Sequence, residues 1–114
     1  MAKRRMFSIE VIETDMFYLL PPSSQMLYLH INLNADDDGI VGNVNNLVRA
    51  VGAEKKYLKL LVERGYLIQF DSGVVAVTDW RVHNRVRADR YTPTRYKEEL
   101  SRLTLGEDMR YIKA

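Results

Sequence analysis

The sequence predicts one α+β domain that is mainly helical, and three observations support this fold class. Two short segments with helical periodicity, 43–51 and 54–64, are separated only by a tight turn that contains glycine. Two runs rich in β-branched and aromatic residues follow and are joined by Asp71-Ser72-Gly73. A short strand and a further helix precede these elements. This order predicts a winged helix-turn-helix with a two- or three-stranded wing and an additional C-terminal helix.

The 114 residues suit a single domain, because 46% hydrophobic composition supplies apolar material for one core. We expect residues 1–114 to form one winged-helix domain with its core at about 14–91. The C-terminal helix is expected at about 93–103, and 104–114 is expected to be a tail.

The first helices are predicted from their start and stop signals. Thr14-Asp15 begins a short helix, which Pro21-Pro22 ends. Ser23 or Ser24 then caps a helix that runs through Leu33. We expect this helix to be central and buried because its apolar residues surround the helix axis: Met26, Leu27, Leu29, Ile31 and Leu33.

The helical pair follows a turn at Asp36-Asp37-Asp38-Gly39 and a very short strand at Ile40-Val41. Asn43 is the predicted cap of the first helix of the pair, and Gly52 ends it. The second helix begins near Ala53-Glu54 and runs to Arg64, with Gly65 beyond its end. The first helix carries an apolar stripe: Val44, Leu47, Val48 and Val51.

The wing is predicted from strands at Tyr66–Phe70 and Val74–Trp80. Beyond it, Arg81–Tyr91 is expected to be extended. Thr92 is then expected to cap the last helix, with Pro93 at its first position. The stripe Tyr96, Leu100 and Leu103 must be covered by the same domain or by a second copy, since a short lone helix is marginal in water.

Charge is distributed unevenly, although the net value is only +2. Residues 1–40 hold three basic and six acidic side chains, whereas residues 41–114 hold fourteen basic and nine acidic ones. Residues 81–97 hold six basic side chains against Asp89 alone. A local basic surface of this kind is typical of nucleic-acid binding, and a solvated charged face is the alternative.

The second helix of the pair is the predicted recognition helix, which lies in the major groove of double-stranded DNA with its N-terminal half nearest the bases. Lys55, Lys56 and Lys59 lie in that half, away from the apolar side. We expect these lysines to contact phosphates rather than read bases, because lysine is a flexible point charge. An ordinary solvated helix face is the alternative.

The segment from Trp80 to Tyr91 interleaves arginines with polar and aromatic residues, as nucleic-acid-binding arms do. Trp80 is assigned to the core, and His83 and Asn84 are expected to bond the backbone at the exit of the wing. Asp89 is expected to pair with an arginine. A structural role for the segment stays open, and the basic N-terminus is either a DNA-contacting arm or a tail. The complete set of predicted DNA contacts is Lys3, Arg4, Arg5, Lys55, Lys56, Lys59, Arg81, Arg85, Arg87 and Arg90.

Catalysis has little support in the sequence, so we expect no enzyme activity, no cofactor and no metal site. The chain has no cysteine, which excludes disulfides and thiolate-bound metals. His30 is predicted to be a core histidine, and the three consecutive aspartates are predicted to form a turn because their spacing matches no calcium loop. No apolar run is long enough for a membrane span and no secretory signal is present, which favours a cytoplasmic protein.

Three pieces of the chain resemble the N-terminal domain of phage replisome organisers, replication-initiation proteins of Gram-positive phages and prophages related to DnaD-like primosomal proteins. They are Lys3–Ser8, Ala35–Gly39 and the stretch from Trp80 to Thr94 that contains His83-Asn84, and the resemblance covers about residues 3–103. It implies a winged helix that binds origin DNA and helps to recruit host replisome or helicase-loading proteins. A protein-interaction or oligomerisation module, which forms homo-oligomers, and a transcriptional regulator are the alternatives.

Overall fold

The computed structural model describes residues 4–114, which form an α+β arrangement of seven helices and two antiparallel sheets. The helices are α1 (Ile9–Ile12), α2 (Asp15–Tyr18), α3 (Pro22–Asn34), α4 (Val44–Ala50), α5 (Lys55–Glu63), α6 (Trp80–His83) and α7 (Lys97–Ser101). The strands are β1 (Ile40–Val41), β2 (Leu67–Gln69), β3 (Val75–Val77), β4 (Leu103–Leu105) and β5 (Tyr111–Lys113).

The larger sheet has the strand order β1-β3-β2, so β3 lies in the middle. In register, Ala76 of β3 faces Ile40 on one side and Ile68 on the other. The predicted hairpin across 71–73 is therefore confirmed, and β1 extends it to three strands. Strands β4 and β5 form a separate two-stranded hairpin.

The core is built around α3, where Leu27, Tyr28 and Ile31 are fully buried. The Tyr28 ring meets Phe17 of α2 and Tyr66 edge to face, with ring centroids 5.3 Å and 5.8 Å apart. Edge-to-face aromatic pairs of this kind add to the stability gained from burial. Helix α3 thus connects the N-terminal helices to the sheet.

The surface of α3 differs from the prediction that its apolar residues are buried all round. Met26, Leu29 and Leu33 are 40%, 37% and 50% exposed, so one side of the helix is only partly covered. His30 is half-buried and its side chain is not in the core. The predicted serine cap is also wrong: the helix begins after Pro21, and the Ser24 hydroxyl donates to the Tyr57 carbonyl oxygen 3.2 Å away.

The two helices of the predicted pair are confirmed. Helix α4 buries Val44 and Val48, and α5 buries Leu58 and Leu61. Gly52 takes a φ of +72° in the turn between them, a conformation that glycine adopts without steric cost. Asn43 occupies the N-cap position of α4, but its side chain makes no capping hydrogen bond.

The sequence predicted that Arg81–Tyr91 is extended. The segment after the β2–β3 hairpin instead begins with the short helix α6. Strand β3 ends at Val77, and Trp80 begins α6 instead of ending a strand. The indole N–H of Trp80 donates to the Asp37 carbonyl oxygen at 2.9 Å, and the side chain is fully buried. This long-range contact requires the chain to turn inward directly after the wing, and it confirms that Trp80 belongs to the core.

The C-terminal region also differs from the prediction. Thr92 and Pro93 do not begin a helix, because the Thr92 N–H donates to the Asp37 carboxylate at 3.0 Å. Helix α7 is confined to Lys97–Ser101, and the expected tail contains the β4–β5 hairpin. The predicted stripe does pack on its own domain: Tyr96, Leu100 and Leu103 lie against one face of the larger sheet, at Ile40, Phe70, Val74 and Ala76.

We predict that Gly39→Ala destabilises the fold far more than Gly52→Ala. Both glycines have positive φ, so each alanine suffers about 1–2 kcal/mol of backbone strain. A Cβ at Gly39 would also lie 2.4 Å from the Trp80 ring, whereas nothing lies within 4 Å at Gly52. Overpacking adds about 1–3 kcal/mol. Urea unfolding of both variants measures the difference, and equal losses would contradict the close packing of Gly39 on Trp80.

Candidate nucleic-acid interface

The predicted recognition helix presents its lysines to solvent. Lys55, Lys56 and Lys59 of α5 are all exposed, while Leu58 and Leu61 on the opposite side are buried. Lys56 pairs with Glu54 at 3.3 Å, and both side chains are about two-thirds exposed. An exposed pair contributes little to stability, so this lysine can exchange the carboxylate for a phosphate at low cost. We call these three residues the lysine face.

Helix α4 adds a cation to the same helical pair. Arg49 is exposed on α4, next to Asn46, to whose side-chain oxygen it donates. The sequence predictions omitted Arg49. The helical periodicity of α4 was sufficient to predict its exposure, because Arg49 does not belong to the apolar stripe and therefore lies on the solvent side of the helix.

A second group of cations lies in the irregular segment after α6. Arg85, Arg87 and Arg90 are all exposed, and Arg87 pairs with Asp89 at 3.2 Å. The expected pairing of Asp89 with an arginine is thus present. The backbone turns here, with the Arg90 N–H bonded to the Arg87 carbonyl oxygen at 3.0 Å. We call residues 85–90 the arginine loop.

Both ends of the arginine loop are held by the body of the domain. Before it, the Asn84 side-chain oxygen accepts from the Met6 N–H at 2.8 Å, as expected for a residue that bonds backbone. After it, the Tyr91 hydroxyl donates to both carboxylate oxygens of Asp38, at 2.8 Å and 2.7 Å. Burial and this contact with Asp38 raise the pKa of Tyr91 to about 12, so it remains a donor.

Two of the predicted DNA contacts point into the protein instead. The Arg5 guanidinium pairs with Asp37 at 3.1 Å, and its side chain is only 4% exposed. Arg81 pairs with Asp38 at 2.9 Å. Of the other two basic residues predicted in the N-terminal segment, Arg4 is exposed and Lys3 lies outside the described residues. Arg5 is therefore not part of an accessible basic surface, whereas Arg81 keeps 27% of its side chain exposed while it binds the buried Asp38 carboxylate.

The three aspartates form the expected turn, but they are much more buried than a surface turn requires. Asp37 and Asp38 are 4% and 1% exposed. Their carboxylates accept hydrogen bonds from arginines, from Tyr91 and from the N–H groups of Thr92 and Thr94. The Asp36 carboxylate accepts from the N–H groups of Asp38 and Ile40 and from the Thr94 hydroxyl. These donors satisfy the carboxylates as structural acceptors.

His83 joins the N-terminal segment to the core. Its Nδ1 accepts from the Ser8 N–H at 2.8 Å, so the neutral ring carries its proton on Nε2 and donates to the Tyr28 hydroxyl oxygen at 2.6 Å. Burial and the nearby positive charge of Arg110 lower the pKa of His83 to about 4. A second proton would also place two donors, Nδ1–H and the Ser8 N–H, against each other.

The turn of the β2–β3 hairpin has mostly acidic surroundings. Asp71 is exposed in the β2–β3 turn, and the Ser72 hydroxyl donates to Glu99 of α7 at 2.7 Å. Glu98 lies beside the same cleft. Arg102 lines the same cleft, but the three carboxylates outnumber it, so the turn of the β2–β3 hairpin does not extend the basic surfaces.

The lysine face and the arginine loop lie at opposite ends of α3. The α5 residue Tyr57 is bonded to Ser24 in the first turn of α3, and Lys55 and Lys56 directly precede it. The arginine loop is held by the Asp36–Asp38 turn, which follows the last residue of α3. Ten residues of α-helix separate Ser24 from Asn34, or about 15 Å.

None of the protein-family models, curated proteins or solved structures compared with the chain matches it. Of the helices that the structure describes, none combines the length and apolar character required to cross a membrane.

We predict that folding stability falls as the pH is lowered from about 6.5 to about 4, with His83 responsible for part of the slope. In that window the unfolded chain binds a proton at His83 and the folded chain does not, so acid favours unfolding. His83→Asn keeps an acceptor for Ser8 without titrating and should flatten the slope.

Urea unfolding at a series of pH values measures this effect. His30→Gln is the matched control, because it removes the other histidine of the chain and leaves the contacts of His83 intact. The interpretation fails if His83→Asn retains the slope of the parent protein, or if His30→Gln removes it.

Proposed function

We propose that this chain is a winged helix-turn-helix domain that binds double-stranded DNA through its lysine face, as a replication-initiation protein of the replisome-organiser type. The observation that carries the proposal is the exposed position of Lys55, Lys56 and Lys59 on the second of two helices joined by a tight turn. A helix in this position fits the major groove.

The order of elements supports the winged-helix part of the proposal. Helix α3, the short strand β1, the pair α4–α5 and the hairpin β2–β3 follow one another as they do in that fold. The pairing of β1 with β3 closes the hairpin onto the body of the domain. The resemblance to replisome organisers adds origin DNA as the target, and helicase-loading proteins of the host as partners.

The chemistry of the surface supports contacts to phosphate rather than to base edges. Three lysines of α5 and Arg49 of α4 are exposed on the helical pair, and lysine provides charge without the planar geometry that reads guanine. The mostly acidic turn of the β2–β3 hairpin is left out of the proposed contact. Binding through phosphates has little sequence preference and depends steeply on salt.

We predict that replacing Lys55, Lys56 and Lys59 together by alanine weakens binding to every duplex sequence. If each lysine neutralises one phosphate, the slope of log affinity against log salt concentration becomes shallower by about 2.7. Fluorescence anisotropy with labelled duplexes at several salt concentrations measures both quantities.

The matched control removes the same charge elsewhere, by replacing the exposed Lys97, Arg102 and Lys113 with alanine. Both variants are first checked for folding by circular dichroism. Equal loss of affinity in the two variants would mean that binding is spread over the whole surface, and no loss in the lysine variant would refute the proposal.

A second candidate function is self-association, and one observation favours it. Helix α3 contains no charged residue in thirteen positions, and its exposed residues Met26, Leu29 and Leu33 form a stripe with spacings of three and four. Two copies of an uncharged helix face can approach without like-charge repulsion. Methionine and the absence of charge are typical of interface cores.

We expect Leu29→Glu with Leu33→Glu to convert any dimer to a monomer, because each copy would then bury two carboxylates. Sedimentation velocity over a range of concentrations measures the mass. Ile112→Glu is the control, since Ile112 is 57% exposed on β5. A parent protein that is monomeric at all concentrations removes this candidate.

A further inference from the structure

The arginine loop has features that its exposure alone does not explain. It is an irregular segment, yet its two flanking residues, Asn84 and Tyr91, are bonded to distant parts of the chain. Its three arginines face solvent at a fixed position on the domain. A loop held at both ends loses less conformational entropy on binding than a free arm does.

The acidic groups closest to the loop are already occupied. Asp37 and Asp38 are satisfied by Arg5, Arg81, Tyr91 and backbone N–H groups. Within residues 4–114, the acidic partner of the loop is Asp89, which is exposed and pairs with Arg87. The loop therefore keeps an excess of positive charge that the fold does not neutralise.

The N-terminal segment adds charge at the base of the loop. The Met6 N–H is bonded to the Asn84 side chain at 2.8 Å, which places Met6 beside the start of the loop. Arg4, two residues earlier, is exposed. Arginine guanidinium groups form paired hydrogen bonds to phosphate oxygens, so this chemistry fits a nucleic-acid backbone.

We infer that the arginine loop is a second phosphate-binding surface, which contacts the same duplex as the lysine face at a separate position along it. This inference rests on the proposed function. The two surfaces are attached at points about 15 Å apart along α3, a distance of about four to five phosphates along one strand. The whole molecule measures 37 × 30 × 29 Å, close to one helical turn of DNA, about 34–36 Å.

The test compares hairpin-capped duplexes of about 4 and about 20 base pairs; at about 3.4 Å per base pair the shorter one spans about 14 Å, less than the distance between the two surfaces. The variant Arg85→Ala, Arg87→Ala, Arg90→Ala is expected to bind the short duplex as the parent protein does. On the long duplex it should lose the parent's additional affinity, with a salt slope shallower by up to about 2.7. Variant and parent are compared on duplexes of the same length. The longer duplex offers more binding positions, but this raises the apparent affinity of both proteins equally and cancels in their ratio.

A second variant gives an effect of opposite sign. Asp89→Asn removes the carboxylate that competes for Arg87 and should tighten binding to the long duplex while leaving the short one unchanged. A merely structural role for the loop would not produce tighter binding. All three residues of the alanine variant are exposed, so circular dichroism and urea unfolding should match those of the parent protein.

The outcomes separate this inference from the proposed function. If the lysine variant loses affinity and the loop variant matches the parent on both lengths, the inference is wrong and the proposed function stands. If the loop variant loses affinity and the lysine variant does not, the lysine face is wrong as the primary contact. A titration at high concentration counts the short duplexes bound per protein chain. If one chain binds two of them, the two surfaces can hold separate duplexes, and the assignment to one duplex is wrong.

Discussion

The buried aspartate turn at 36–38 is the constraint on which most of the structure depends. Four separate parts of the chain donate to it: Arg5 from the N-terminal segment, Trp80 and Arg81 from α6, residues 91–94, and Tyr111, whose hydroxyl donates to the Asp38 carbonyl oxygen at 2.8 Å. Buried carboxylates are costly unless charge and hydrogen bonds compensate them. Here each donor is also a tie between segments, and removing the arginine partner of a buried carboxylate typically costs about 3–5 kcal/mol because a buried charge is left uncompensated.

The same turn sorts the arginines into two classes. Arg5 and Arg81 are drawn inward by Asp37 and Asp38, and Arg5 lies over the Trp80 ring at 4.9 Å. Arg85, Arg87 and Arg90 lie a few residues further along and stay in solvent. Local sequence cannot distinguish the two classes, because Arg81 occurs in the same basic stretch as Arg85, Arg87 and Arg90. The difference arises from partners that are 32 to 43 positions away.

Sequence reasoning succeeded where the signals were local. The apolar stripe of α4, the glycine between α4 and α5, and the turn at Asp71–Gly73 each determine structure within a few residues, and all three elements are confirmed. It failed where a tertiary contact overrides a local signal. Pro93 is a good first residue for a helix, but Thr92 and Thr94 are bonded to the aspartate turn, so α7 starts later. The lysine face was predictable from helical periodicity, whereas the inward position of Arg5 was not.

Residues from the motifs that support the resemblance to replisome organisers are bonded to one another or to the aspartate turn. Trp80 and Tyr91 bond the aspartate turn, and His83 and Asn84 bond the backbone of the N-terminal segment. Their contacts account for these residues without any ligand, so the motifs describe a scaffold and carry little direct information about what the domain binds. The residues that the scaffold leaves in solvent are therefore the ones that carry information about function. The lysine face consists of flexible cations on a rigid helix, and the arginine loop consists of forked cations on a loop fixed at both ends. These two surfaces are suited to different tasks: the lysines to charge neutralisation in any register, and the arginines to a phosphate held at a set distance from it.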